Sequence, residues 1–114
     1  MAYIHGAVLP VPTANKDAYI AQSGKMAAIF RDHGALQVVD CWGDDVPAGT
    51  VTSFPMAVHC AEDETVVFSW MIWPDKKTAD AGMEKAMTDE RMTHDMPFDT
   101  KRMIFGGFEV VVDV

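Results

Sequence analysis

From Thr65 to Trp73 the side chains alternate, with Val66, Phe68, Trp70 and Ile72 on one side and Val67, Ser69, Met71 and Trp73 on the other. That is the two-residue period of a β-strand. Apart from Ser69, both sides are apolar, whereas an antiparallel sheet with one wet face alternates apolar with polar. Val38-Val39 and Val110-Val111-Val112 repeat the pattern. The chain therefore predicts a sheet that needs cover on two faces.

The remaining elements follow from period and punctuation. Tyr3 to Val11 reads as a first strand, closed by Pro10 and Pro12. Thr13 or Asn15 is placed to cap a helix with Asp17 near its positive end and Tyr19, Met26, Ile29, Phe30 and His33 on one side. Gly34 suits its C-terminal stop. Ala35 to Trp42 is a second strand, and Gly43 to Gly49 a loop by composition. Phe54 to Cys60 is expected as an extended piece near an edge or bulge because of Pro55, turning through Glu62-Asp63-Glu64 into Thr65 to Trp73 as a hairpin. Asp75 follows Pro74 as the cap of a second helix ending near Met92, with Ala79, Met83, Ala86 and Met87 on one face. His94 to Thr100 is irregular. Met103 to Val112 is a last strand, with Gly106-Gly107 expected as a bulge.

The order β-α-β-β-β-α-β predicts a ferredoxin-like α+β fold: an antiparallel sheet with two helices on one face. Two helices cover one side of such a sheet. An apolar face left in water forfeits several kcal/mol at ~25 cal/mol per Å², so a homodimer joined sheet to sheet, a dimeric α+β barrel, is expected.

Length and composition narrow the picture. The 114 residues fit one domain, 1–114, and 49% hydrophobic with 23% charged residues is globular composition. No run approaches the ~20 apolar residues of a membrane helix, and Met1 to Pro12 lacks the pattern of a secretory signal. The expected compartment is cytoplasmic, and Cys41 and Cys60 read as free, buried thiols. A net charge of −8 argues against nucleic acid and anionic membrane surfaces as partners.

Three constellations carry candidate chemistry. Trp42 with Asp44 and Asp45 could hold a cation or supply a base, or the two acids could simply make turn hydrogen bonds. In the segment Asp95 to Arg102, Asp99 and Arg102 could close over a ligand, with Arg102 the best anchor for a carboxylate or phosphate, or could form a local ion pair. His59, read as lying on a strand, is either an interior polar group or a structural residue. Trp70 could stack on a planar ligand or pack in the core or a dimer interface. His5, His33 and His94 show no metal-ligand spacing with His59, and no G-x-G-x-x-G, P-loop or G-x-S-x-G occurs, so no cofactor or metal is expected.

The segments Cys41-Trp42-Gly43-Asp44-Asp45-Val46-Pro47, Val67-Phe68-Ser69-Trp70, Met96-Pro97-Phe98-Asp99, Lys101-Arg102-Met103-Ile104 and Gly106-Gly107-Phe108 together resemble the YbaA-like proteins, small bacterial proteins of uncharacterised function. The resemblance runs from Tyr3 to Asp113. It implies a dimeric α+β barrel related in fold to cofactor-independent monooxygenase-like and stress-responsive barrels, and it brings no established activity. Two functions are carried forward: binding or transforming a small molecule without a cofactor, and a non-catalytic protein-interaction or stress-associated dimer.

Overall fold

A computed structural model describes all 114 residues. Four strands form one antiparallel sheet: β1 (Tyr3–Pro12), β2 (Gln37–Trp42), β3 (Glu64–Trp73) and β4 (Ile104–Glu109), in the order β2-β3-β1-β4. Three helices intervene: α1 (Lys16–Asp32), the single turn α2 (Phe54–Ala57) and α3 (Lys76–Met87). The protein is thus α+β. The central strands β1 and β3 pair along ten residues, from Tyr3 opposite Trp73 to Pro12 opposite Glu64. Pro10 and Pro12 lie beyond Val8, the last β1 residue paired with β4, where β1 has no neighbour on that side.

The register assigns every strand residue to a face. Row by row, Gln37, Ile72, Ile4 and Phe108 lie together, then Val39, Trp70, Gly6 and Gly106, then Cys41, Phe68, Val8 and Ile104. No charged side chain stands in these rows. The opposite face carries Val38, Asp40 and Trp42, then Val67, Ser69, Met71 and Trp73, then His5, Ala7, Leu9 and Val11. Helices α1 and α3 cover this second set: Ile29, Phe30, Met71, Trp73, Ala79 and Ala86 form the main buried cluster, and Leu9, Val11, Tyr19 and Val67 a second. Trp73 is fully buried, and its indole N–H donates to Nδ1 of His5 at 3.0 Å.

Four expectations are corrected. Phe54 to Cys60 is not a strand, so there is no hairpin at Glu62-Asp63. Ser53 accepts the Met56 N–H at 3.1 Å and Pro55 sits in the first turn, which makes the segment a capped helical turn. Gly106-Gly107 is not a bulge, because β4 pairs with β1 residue for residue. These glycines instead make room for rings. The Phe108 ring lies beside Gly6 and Gly106, and a side chain at Gly107 would overlap the Tyr3 ring. Neither Thr13 nor Asn15 caps α1 through its side chain. A 3₁₀ turn over Thr13–Asn15 leads into the helix, the Thr13 hydroxyl meets that of Thr65, and the Asn15 amide donates to the Pro97 carbonyl. Helix α3 stops at Met87, short of Met92. Beyond it Arg91 forms ion pairs with Asp89 and with Asp32 at the end of α1, and Asp89 is hydrogen-bonded to His33. Gly34 does end the α1 turn, with φ of +114°, and Asp75 does cap α3, accepting the Thr78 N–H at 2.7 Å.

The face away from α1 and α3 is only partly covered. Val58 packs with Val8 and Val66, flanked by Val46 and Cys60, and the Phe54 ring meets Phe68. The rest is open: Phe68 is 45% exposed, Ile104 46% and Phe108 60%.

Candidate functional site

Between the helix-covered face and α1 and α3 lies a cavity of about 230 Å³. Its walls are apolar and rich in methionine: Met26, Met71, Met83, Met87, Met96 and Met103, six of the nine in the chain, line it. The period of α1 creates one wall, because Tyr19, Ser23 and Met26, at spacings of four and three, share one helix face. The sheet supplies Val38, Asp40, Ser69 and Met71, and the segment Met96 to Met103 the remaining side.

Among the polar residues of the lining, three form a hydrogen-bonded cluster. Tyr19 donates its hydroxyl to Asp40 Oδ1 at 2.9 Å, and the Ser23 hydroxyl donates to Asp40 Oδ2. Burial and then the Asp40 carboxylate push the Tyr19 phenol well above its ordinary value, so it stays protonated and keeps donating. Tyr19 is also framed by rings, with Phe98 edge-on at 5.8 Å and Trp42 at 6.3 Å between centroids. The wall from Asp95 to Phe98 is tied down by side-chain amides. Asn15 donates to the Pro97 carbonyl, and Gln22 to the Asp95 carbonyl and the Met96 sulfur.

The residues singled out from sequence fall in different places. Trp42 is closest to the cavity: it packs on Tyr19, with the Lys16 ammonium 5.4 Å from its ring centroid. Asp44 and Asp45 are exposed in the loop after β2, and neither carboxylate makes a hydrogen bond within the chain. His59 lies in the turn after α2 rather than on a strand. It is exposed, and its φ of +49° places it in the left-handed region. Trp70 is on the open face of the sheet, beside Phe68 at 5.5 Å, away from the cavity.

Asp99 and Arg102 meet, but the principal partner is Glu64. Arg102 donates through both terminal nitrogens to the Glu64 carboxylate at 2.7 Å, through Nε to Asp99 at 2.9 Å, and to the His59 carbonyl at 2.8 Å. This bidentate, largely shielded pair ties the start of β3 to the entry of β4. The guanidinium holds the Glu64 carboxyl below its usual value, and Asp99 likewise. Four of the five guanidinium N–H groups are thereby engaged inside the chain. Cys41 and Cys60 are free and half-buried rather than buried.

The hydrogen-bonded cluster in the cavity wall, Tyr19, Ser23 and Asp40, was not singled out as a site. A signal for them does exist: Asp40 stands on the inward alternation of a strand otherwise built from Val38, Val39, Cys41 and Trp42, and Tyr19 and Ser23 share the core-facing side of α1.

The fold and cavity define a class: a small α+β protein whose four-stranded sheet holds an apolar pocket under two helices. The chain matches the family described as Protein of unknown function (DUF1428) over residues 2–100, and it belongs to that family. It is 50% identical over 116 aligned residues, 99% of each chain, to the uncharacterized protein YbaA of Escherichia coli strain K12, and equally similar to the YbaA protein of Shigella flexneri. The likeness to YbaA-like proteins therefore holds along the whole chain. No helix is long and apolar enough to cross a membrane.

Proposed function

We propose that this protein binds a small molecule in the cavity beneath α1 and α3, and that it works as a homodimer of ferredoxin-like α+β domains, a dimeric α+β barrel. The observation that carries the binding reading is the cavity itself. A packed interior has few voids larger than a water molecule, whereas this partly open cavity is of about 230 Å³, apolar, and lined at one end by a hydrogen-bonded Tyr19–Asp40–Ser23 cluster. Apolar pockets with a few convergent polar groups are where ligands bind.

The dimer reading is supported by the open face. The three rows it shares with β4 contain no charge on a chain whose net charge is −8, the acid further along the same alternation, Glu64, being neutralised by Arg102, and Phe68, Ile104 and Phe108 stand out of it. A second copy of the same face matches it in the one property that sets it apart from the acidic remainder of the surface, its lack of charge. The strand order β2-β3-β1-β4 with split β-α-β connections agrees with the ferredoxin-like plan.

Native mass spectrometry of the purified protein tests both parts. The expected spectrum is a dimer that retains a small molecule, and Ala27→Phe, which fills the cavity from α1, removes that molecule while the dimer persists. A monomer that captures other proteins through the same face would favour an interaction module instead. A protein that retains nothing and leaves added apolar ligands unbound would overturn the binding reading.

A further inference from the structure

The cavity's chemistry narrows what it admits. No Lys, Arg or His side chain lines it. Its one carboxylate, Asp40, stands on the edge strand β2 and already accepts from Tyr19 and Ser23. A carboxylate offers about four lone-pair sites, so two remain for a further donor. Asp40 is exposed to solvent, so an anionic ligand whose charged group reaches this end finds no cation among the lining residues and faces a like charge. A neutral ligand with one hydroxyl or amine would find an acceptor at the polar end and mostly apolar surface elsewhere.

Size and wall chemistry restrict it further. An apolar cavity of ~150 Å³ holds benzene, so 230 Å³ suits a molecule of about two fused rings. Six methionines around the void favour an aromatic occupant, because thioether sulfur packs well against rings and the unbranched side chains adjust to shape. Ser69, on the sheet side, adds one hydroxyl to the floor.

We infer that the cavity is a site for small neutral aromatic molecules bearing one hydrogen-bond donor, and that Asp40 is the group that selects them over carboxylates and phosphates of the same shape. This rests on the reading that the cavity is the ligand site, and its test is chosen to separate the two.

The test is a fluorescence titration of the full chain at neutral pH with 2-naphthol and with 2-naphthoate, which share a ring system and differ in charge. Naphthol is expected to bind, and naphthoate to bind about tenfold more weakly or worse. Asp40→Asn, which removes the charge while keeping an acceptor, is expected to bring the two affinities together. Ala27→Phe, or Met87→Trp at the rim should the first variant fold poorly, is expected to abolish binding of both. Equal or tighter binding of naphthoate, blocked by Ala27→Phe, would overturn the selectivity and leave the cavity as a ligand site. An unchanged ratio in Asp40→Asn would overturn the role of Asp40 alone. Binding of neither probe, or binding that both filling variants leave intact, would overturn the site and the inference with it.

Discussion

The two faces of the sheet are built from the same kinds of residue and meet different fates. Val67, Met71 and Trp73 on one side and Val66, Phe68 and Trp70 on the other come from the same strand, yet Trp73 is fully buried while Phe68 is 45% exposed. What separates them is connection geometry. The crossovers β1-α1-β2 and β3-α3-β4 both place their helices on the Trp73 side, and only the short α2 segment reaches the other. The helix-covered face is not packed solid, for methionines leave a cavity against it. The open face has apolar residues without a cover. On the reading proposed above, the first face holds a ligand and the second a second copy.

The largest way to break the comparison is on the covered face. Trp73→Ala removes a fully buried indole and leaves His5 Nδ1 without its donor, and it should cost about 3–5 kcal/mol in denaturant unfolding. Arg102→Ala comes next. It leaves the Glu64 carboxylate without its bidentate partner and should lower the denaturant midpoint at neutral pH, by less than Trp73→Ala does. Because Glu64 and Asp99 titrate below their unfolded values, their contribution is present above the ordinary carboxylate range and disappears as pH falls through the folded values. The acid side of the stability–pH curve should therefore be flatter in Arg102→Ala than in wild type.

His5 gives a smaller effect of the same sign. Burial holds its imidazole below the ordinary value of 6.5. The unfolded chain takes up the proton first as pH drops, so stability is full above 6.5 and declines below it. Thermal melts across that range should show Tm falling as pH drops below 6.5, a decline that His5→Gln removes.

Much of this was legible in the chain, and the misses have physical causes. The two-sided strand at Thr65–Trp73, the α1 and α3 faces and the Asp75 cap follow from period and capping chemistry. Phe54 to Cys60 misled because a proline near the start of a short apolar run fits an edge strand and a first helical turn equally well. The Ser53 side chain bond to Met56, which decides the matter, is a three-residue detail. Gly106-Gly107 misled because what they accommodate, the Phe108 and Tyr3 rings, is brought in by cross-strand pairing. Among the candidate residues, Asp99 and Arg102 are joined in space and Trp42 packs on Tyr19 of the cavity wall, while Asp44, Asp45, His59 and Trp70 lie apart from it. Asp40 gains its meaning only through Tyr19, 21 positions earlier.

The smallest expected effect on the isolated fold belongs to Phe108→Asp, since the ring is 60% exposed on the edge strand β4 and its loss should stay near 0.5 kcal/mol. That same substitution bears most directly on the claim that the two faces have different partners. The measurement is solution mass by light scattering, taken on wild type and on Phe108→Asp at equal concentration. Wild type should weigh twice the 12.5 kDa of one chain, and the variant should fall to a single chain while its circular dichroism is unchanged. A wild-type protein that weighs one chain, or a variant that remains a dimer, would contradict the account.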